Sequence, residues 1–150
     1  MFQELELPSE AVEFTPTRQA GLARLEKFVS RTGQHYSRQR NYDFGTELRG
    51  NVSVLSPWIR HRLITEEDVL HATLSHQSIF AAEKFIQEVF WRTYFKGWLE
   101  QRPSVWTTYQ DGLARALNAG IRSSDYQDAI AGCTGIACFD HWAQELIQTG

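Results

Sequence analysis

The sequence lacks long apolar runs, a basic leader and a cysteine framework. No apolar run approaches the roughly 18 residues that a membrane-spanning helix needs. The N-terminal stretch MFQELELPSEAVEF is acidic and has no basic region, which argues against a secretory signal. Cys133 and Cys138 are too few for a disulfide framework and do not have the spacing of a zinc site. These absences predict a cytoplasmic protein with no membrane contact and no metal site.

Strand-like alternation of apolar and polar residues is almost absent as well. The chain has 150 residues and 42% hydrophobic content, which is enough for one domain with a sizeable core. Apolar residues recur at helical spacing almost throughout. We therefore predict an all-α helical bundle of at least five helices over residues 14–150, preceded by a loose arm at residues 1–13.

Several helix boundaries can be predicted from capping residues. Thr15 and Pro16 predict an N-cap and first helical position, and Gly33 predicts the end of that helix. Ser56 and Pro57 predict another helix start, and Thr65 predicts an N-cap ahead of three acidic residues. The longest predicted helix covers residues 78–100 and is stopped by a proline. Weaker helices are predicted at 104–119 and 139–148, and residues 43–51 are predicted to be a loop.

Charge is segregated along the chain. Residues 14–62 carry nine Arg and Lys against three Asp and Glu, whereas residues 63–150 carry six against eleven. Two interpretations stay open, a solvated face rich in arginine or a surface that faces an anion such as a phosphate.

The stretch EVFWRTYFKGW, residues 88–98, combines a carboxylate, a guanidinium and five aromatic rings. On a helical wheel Glu88, Trp91, Arg92 and Phe95 share one face, and apolar residues also occupy the opposite face. Apolar groups on both faces predict a helix buried between other helices. Glu88 and Arg92 could form an internal ion pair, or Trp91 and Arg92 could line a cavity for a flat, anionic ligand.

Three motifs in the same order resemble those of the DNA photolyase and cryptochrome family, in its helical FAD-binding domain. The first is a Tyr and an Arg four apart, a glycine-containing loop and then S-x-L-S-P. The second is E-x-x-W-R followed by Tyr, and the third is G-x-T-G with an Asp five residues after the second Gly. In this chain the motifs contain Tyr36 and Arg40 with residues 53–57, then Glu88, Trp91 and Arg92, and finally residues 132–135 with Asp140.

The resemblance implies FAD as the cofactor and light-driven repair of pyrimidine dimers in damaged DNA as the function. It implies that Glu88 and Trp91 act in catalysis and that Glu88, Trp91 and Arg92 contact the DNA. The positions that it implies for FAD contacts are Tyr36, Ser53, Val54, Leu55, Ser56, Glu88, Arg92 and Phe95. Val52 and Ala129 replace a Thr and a Trp of the family pattern.

Two alternatives remain beside repair, namely a cryptochrome-type photoreceptor and an inactive helical fragment or interaction module. The sequence stops at Thr149 and Gly150, where the family pattern continues with further flavin contacts. We therefore expect a partial flavin domain that does not hold FAD tightly. We also expect self-association through exposed inner faces.

Overall fold

The computed structural model describes residues 12–149, apart from the side chains of Thr46, Glu47 and Thr149. The predicted arm therefore lies outside the described residues except for its last two positions. The described residues form eight α-helices, one 3-10 helix and no strand, which confirms the all-α prediction. The elements in chain order are α1 Arg18–Val29, α2 Gln34–Gln39, the 3-10 helix Thr46–Asn51, α3 Ser56–Arg60, α4 Glu66–His76, α5 Glu83–Glu100, α6 Pro103–Gly120, α7 Ser124–Ala131 and α8 Ala137–Thr149.

The boundaries of α1 differ from the prediction at both ends. Thr17 is the N-cap, because its side chain accepts a hydrogen bond from the Ala20 N–H. The helix ends at Val29, with Ser30 as its C-cap, and Gly33 is the N-cap of α2, with φ −85°. Gly33 therefore starts a helix that the sequence did not indicate, and it does not terminate α1.

The start of α4 follows the prediction closely. The Thr65 hydroxyl accepts from the Asp68 N–H at 3.1 Å, and the Asp68 carboxylate accepts from the Thr65 N–H at 2.8 Å. This reciprocal pair is a capping box. Arg18 adds two parallel hydrogen bonds to the same carboxylate, both at 2.8 Å, which joins α1 to α4.

The chain divides into two compact units, and the boundary falls within α5 between Lys96 and Gly97. The first unit has a hydrophobic core in which three aromatic rings meet. Phe28 of α1, Tyr36 of α2 and Phe85 of α5 lie with ring centroids 5.1 to 6.3 Å apart. This core fixes α2 and the first half of α5 relative to α1.

The second unit contains α6, α7 and α8, and α7 packs against α8. None of the apolar side chains that the structure describes in residues 97–149 is buried. Its turn at 132–136 is held by Asp140, whose carboxylate accepts from the N–H groups of Thr134 and Gly135 at 2.8 and 2.9 Å. The third sequence motif therefore has a local structural role in joining α7 to α8.

Within the described part of the chain, no helix is both long and apolar enough to cross a membrane.

Candidate anion and ligand site

The segment at residues 53–56, here called the 53–56 loop, has an unusual backbone. Val54 has φ +54°, in the left-handed region that a β-branched residue rarely adopts. Leu55 follows with φ −87° and ψ −8°, so the sign of φ reverses between neighbours. Alternation of this kind turns successive N–H groups towards one concavity, an arrangement that binds anions in proteins.

Arg24 of α1 holds the carbonyl side of the same segment. Its guanidinium donates to the Ser53 carbonyl at 2.8 Å and to the Val52 carbonyl at 3.2 Å. In a trans peptide the N–H points opposite to the C=O, so the N–H groups of Ser53 and Val54 are directed away from Arg24. Among the described residues, none of the four backbone N–H groups of the 53–56 loop has a hydrogen-bond acceptor.

The helix that follows the loop contributes little by itself. The α3 helix has five residues, and Ser56 at its first position is exposed. Leu55, the N-cap, is buried and anchors the loop in the core. The anion-binding character of this segment therefore comes from the turn in the backbone, more than from the dipole of a short helix.

Tyr36 and Glu88 come from different sequence motifs, and the fold brings them together. Tyr36 is buried, and its ring packs edge-on against Phe85. Burial raises the pKa of Tyr36, the negative charge of nearby Glu88 raises it further, and Arg40 lowers it. The Tyr36 side chain is thus a core residue that lies within electrostatic reach of an exposed carboxylate.

The second half of α5 is more exposed than the sequence predicted. Trp91 and Phe95 are 49% and 54% exposed, although a helix buried between others was expected. The wheel shows only that apolar residues lie on both faces, and only the first half of α5, with Phe85 and Val89, reaches the core. Trp91 stacks on Phe95 with centroids 5.3 Å apart and meets Tyr94 edge-on at 5.4 Å. These three rings, here called the aromatic cluster, form an accessible apolar surface.

Within the described chain, Arg92 pairs with Glu66 of α4 and not with Glu88. The Arg92 Nε lies 3.8 Å from the Glu66 Oε1. Arg62 donates to the other oxygen of the same carboxylate at 2.7 Å. Of the two alternatives left open by the sequence, the internal pair between Glu88 and Arg92 is not formed, and Arg92 instead joins α5 to the start of α4.

Sequence reasoning missed three residues at these sites, namely Arg24, Arg62 and Glu66. Arg24 and Arg62 belong to the basic segment at residues 14–62, so the charge segregation was the available signal. Glu66 was interpreted only as an acid at the start of a helix. Among the described residues no group of three or more His, Cys, Asp or Glu could hold a metal ion.

Comparison with models of protein families, with curated protein sequences and with solved structures finds no match to the chain.

Proposed function

We propose that this chain belongs to a photolyase-like flavoprotein that binds FAD and repairs pyrimidine dimers in DNA by light-driven electron transfer. The observation that carries the proposal is the 53–56 loop. The family resemblance implies FAD contacts at Ser53, Val54, Leu55 and Ser56, and we assign the pyrophosphate of FAD to this segment. Its strained residue supports an anion site at that position, as do its four N–H groups, which have no acceptor in the part of the chain that the structure describes.

The chain's own residues fit the pyrophosphate in a specific way. A dinucleotide pyrophosphate is bound through backbone N–H groups in many proteins, because these donors approach its oxygens closely. Arg24 holds the loop by its carbonyls and adds positive charge behind the N–H groups. The hydroxyls of Ser53 and Ser56 supply further donors at the two ends of the loop.

The remaining assignments concern the flavin ring and the lesion. Tyr36, Glu88, Arg92 and Phe95 are assigned to the flavin. Glu88, Arg92 and Phe95 are exposed and accessible to a ligand, whereas Tyr36 is buried in the core. Trp91 is exposed, as a ring must be if it stacks on an unpaired base. When bound, reduced flavin supplies the light-excited electron, while the protein supplies position and electrostatics.

The test is a pair of equilibrium titrations with FAD and with riboflavin, which lacks the pyrophosphate. If the 53–56 loop binds phosphate oxygens, FAD binds at least about tenfold more tightly than riboflavin, since one charge-assisted hydrogen bond contributes roughly 1.5–3 kcal/mol. ADP then competes with FAD. Equal affinities for FAD and riboflavin, or no flavin binding, would remove the observation that carries the proposal.

The exposure of Trp91 helps to distinguish DNA repair from photoreception as the proposed function. A receptor that signals through a partner does not require a ring that stacks on DNA, so the exposure of Trp91 favours repair. The discriminating measurement is conversion of a dimer-containing oligonucleotide under light with reduced flavin. Flavin binding without conversion would support the cryptochrome-type alternative.

An interaction module is a second candidate, and the aromatic cluster is the observation that favours it. Trp91, Tyr94 and Phe95 are each about half exposed, and contiguous exposed apolar patches mark protein interaction sites as well as ligand-binding grooves. Self-association through this surface predicts a sedimentation coefficient that rises with protein concentration. Trp91→Ala should suppress that rise if the cluster forms the contact.

A further inference from the structure

Arg62 and Arg92 approach one carboxylate from two different elements. Arg62 lies in the turn between α3 and α4, and Arg92 lies on α5. Their nitrogens are 2.7 and 3.8 Å from the two oxygens of Glu66. The side chains of Arg62 and Arg92 are 59% and 39% exposed, whereas that of Glu66 is 21% exposed. Both guanidiniums are therefore open to a second anion from solvent.

The position of Arg62 is one that normally favours glycine. The Arg62 N–H donates to the Ile59 carbonyl, and the Leu63 N–H donates to the Trp58 carbonyl. These two bonds form the Schellman motif that ends α3, and Arg62 occupies its left-handed position with φ +57°. Arginine is less favourable than glycine for this backbone conformation. What arginine provides at this position, and glycine does not, is the guanidinium group.

We propose that Arg62 and Arg92 form a two-arginine site for a DNA backbone phosphate, in which Glu66 acts as an internal competitor. This inference rests on the proposed function. It extends the DNA contact expected at Arg92 to Arg62 and Glu66, which the sequence motifs do not include. Glu66 holds both guanidiniums in place until a phosphate displaces its carboxylate.

Two further observations favour a phosphate of DNA. Guanidinium groups match phosphate geometry and form short charge-assisted hydrogen bonds with its oxygens. Arg92 also follows Trp91 directly and shares its face of α5, so a base on Trp91 and a phosphate on Arg92 would belong to the same strand. A carboxylate that already bridges two guanidiniums shows that the site accepts an anion.

The experiment measures binding of single-stranded oligothymidylate at several salt concentrations. Glu66→Gln removes the competitor and should tighten binding about two- to fivefold, the range expected for loss of an exposed ion pair. Arg62→Gly should weaken binding and reduce the slope of log K against log salt by about 0.7, the value for one phosphate contact. Arg62→Gly should leave FAD affinity unchanged, which distinguishes this site from the 53–56 loop.

Matched controls come from the neighbouring residues. Glu67→Gln removes the same charge from the same helical turn, but Glu67 lines the groove between α1 and α4. Arg60→Gly removes one positive charge from the end of α3, and Arg60 has no ion pair among the described residues. Both controls should leave the salt slope unchanged. Equal effects of Glu66→Gln and Glu67→Gln would overturn the proposal, because general charge would then explain them.

A second measurement distinguishes failure of the two-arginine site from failure of the proposed function. Inorganic phosphate is titrated into labelled protein while the side-chain N–H signals of arginine are recorded. Shifts at Arg62 and Arg92 without DNA binding would show that the two arginines bind phosphate, but would contradict both a DNA phosphate as their ligand and DNA repair. DNA binding that is insensitive to Glu66→Gln and Arg62→Gly would contradict the site and leave the proposed function in place. No response to either probe would contradict both.

Discussion

Val54 and Arg62 both hold a left-handed backbone without being glycine, and each lies in a segment with a proposed anion contact. Left-handed conformation costs a residue with a side chain roughly 1–2 kcal/mol. Such strain persists only where the surrounding structure holds it, and it is common at functional sites. At Val54 the buried Leu55 and the contacts of Arg24 hold the turn, and at Arg62 the Schellman hydrogen bonds do so.

Arg62→Gly is expected to stabilise the fold. Glycine relieves the strain at φ +57°, and the lost exposed pair with Glu66 costs only a few tenths of a kcal/mol. The free energy of unfolding in urea should rise by about 0.5–1 kcal/mol. Arg60→Gly, inside α3, should lower it by a similar amount. A destabilised Arg62→Gly would show that the arginine side chain stabilises the turn.

Asp68 is expected to account for part of the loss of folding stability at acidic pH. Hydrogen bonds from Arg18, then from the Thr65 backbone, hold the pKa of Asp68 far below its usual range. Because its folded pKa lies below the unfolded value of about 3.9, the stabilisation is complete above that pH and is lost as the pH falls towards the folded pKa. Asp68→Asn should cost about 1 kcal/mol at neutral pH, since solvent screens the half-exposed Arg18.

Urea unfolding at neutral pH and near pH 3 checks this prediction. The difference between the parent and Asp68→Asn should shrink at the lower pH. A difference between the two proteins that does not change with pH would show that groups other than Asp68 cause the loss of stability in acid.

At the scale of the element, α5 combines a structural half with an exposed half. Phe85 is 3% exposed and packs against Phe28 and Tyr36, whereas Trp91 is 49% exposed. Phe85→Ala should therefore lower the free energy of unfolding by about 3–5 kcal/mol, and Trp91→Ala by less than about 1 kcal/mol. In a folded Trp91→Ala variant, affinity for dimer-containing DNA should fall by roughly 1–3 kcal/mol. Unchanged affinity would remove Trp91 from the DNA site.

Helix positions were more predictable from the sequence than helix ends. Thr65 is followed by three acidic residues, and its capping box can be predicted from that local pattern. Gly33 has no comparable local signal, because a glycine can end one helix or begin the next, and the core contact of Tyr36 decides in favour of α2. The α7 helix was also missed, since eight residues with few apolar positions give a weak periodic signal.

The candidate site was predictable in part for a similar physical reason. Spacing along a helix places Trp91 and Arg92 on one face, and the wheel gives this directly. Contacts between different helices and loops depend on tertiary packing. The contact of Arg92 with Glu66 and that of Arg24 with the 53–56 loop therefore could not be predicted from residue spacing along the sequence.

At the scale of the whole molecule, the two units differ in their apolar cores. The first unit buries Phe28, Trp58 and Phe85, while none of the apolar side chains described in residues 97–149 is buried. Few buried contacts mean low local stability. Amide hydrogen exchange in α6, α7 and α8 should therefore be faster than in α1, α4 and the first half of α5. Equal protection in both sets of helices would show that the second unit is stabilised by contacts beyond its own helices.

The central claim is that the backbone N–H groups of the 53–56 loop bind the FAD pyrophosphate, and amide NMR tests it most directly. FAD and ADP should each shift the amide signals of Ser53, Val54, Leu55 and Ser56, because these groups have no acceptor among the described residues. Riboflavin should leave the same four signals in place. Shifts by FAD that spare these amides, or equal shifts by riboflavin, would contradict the account.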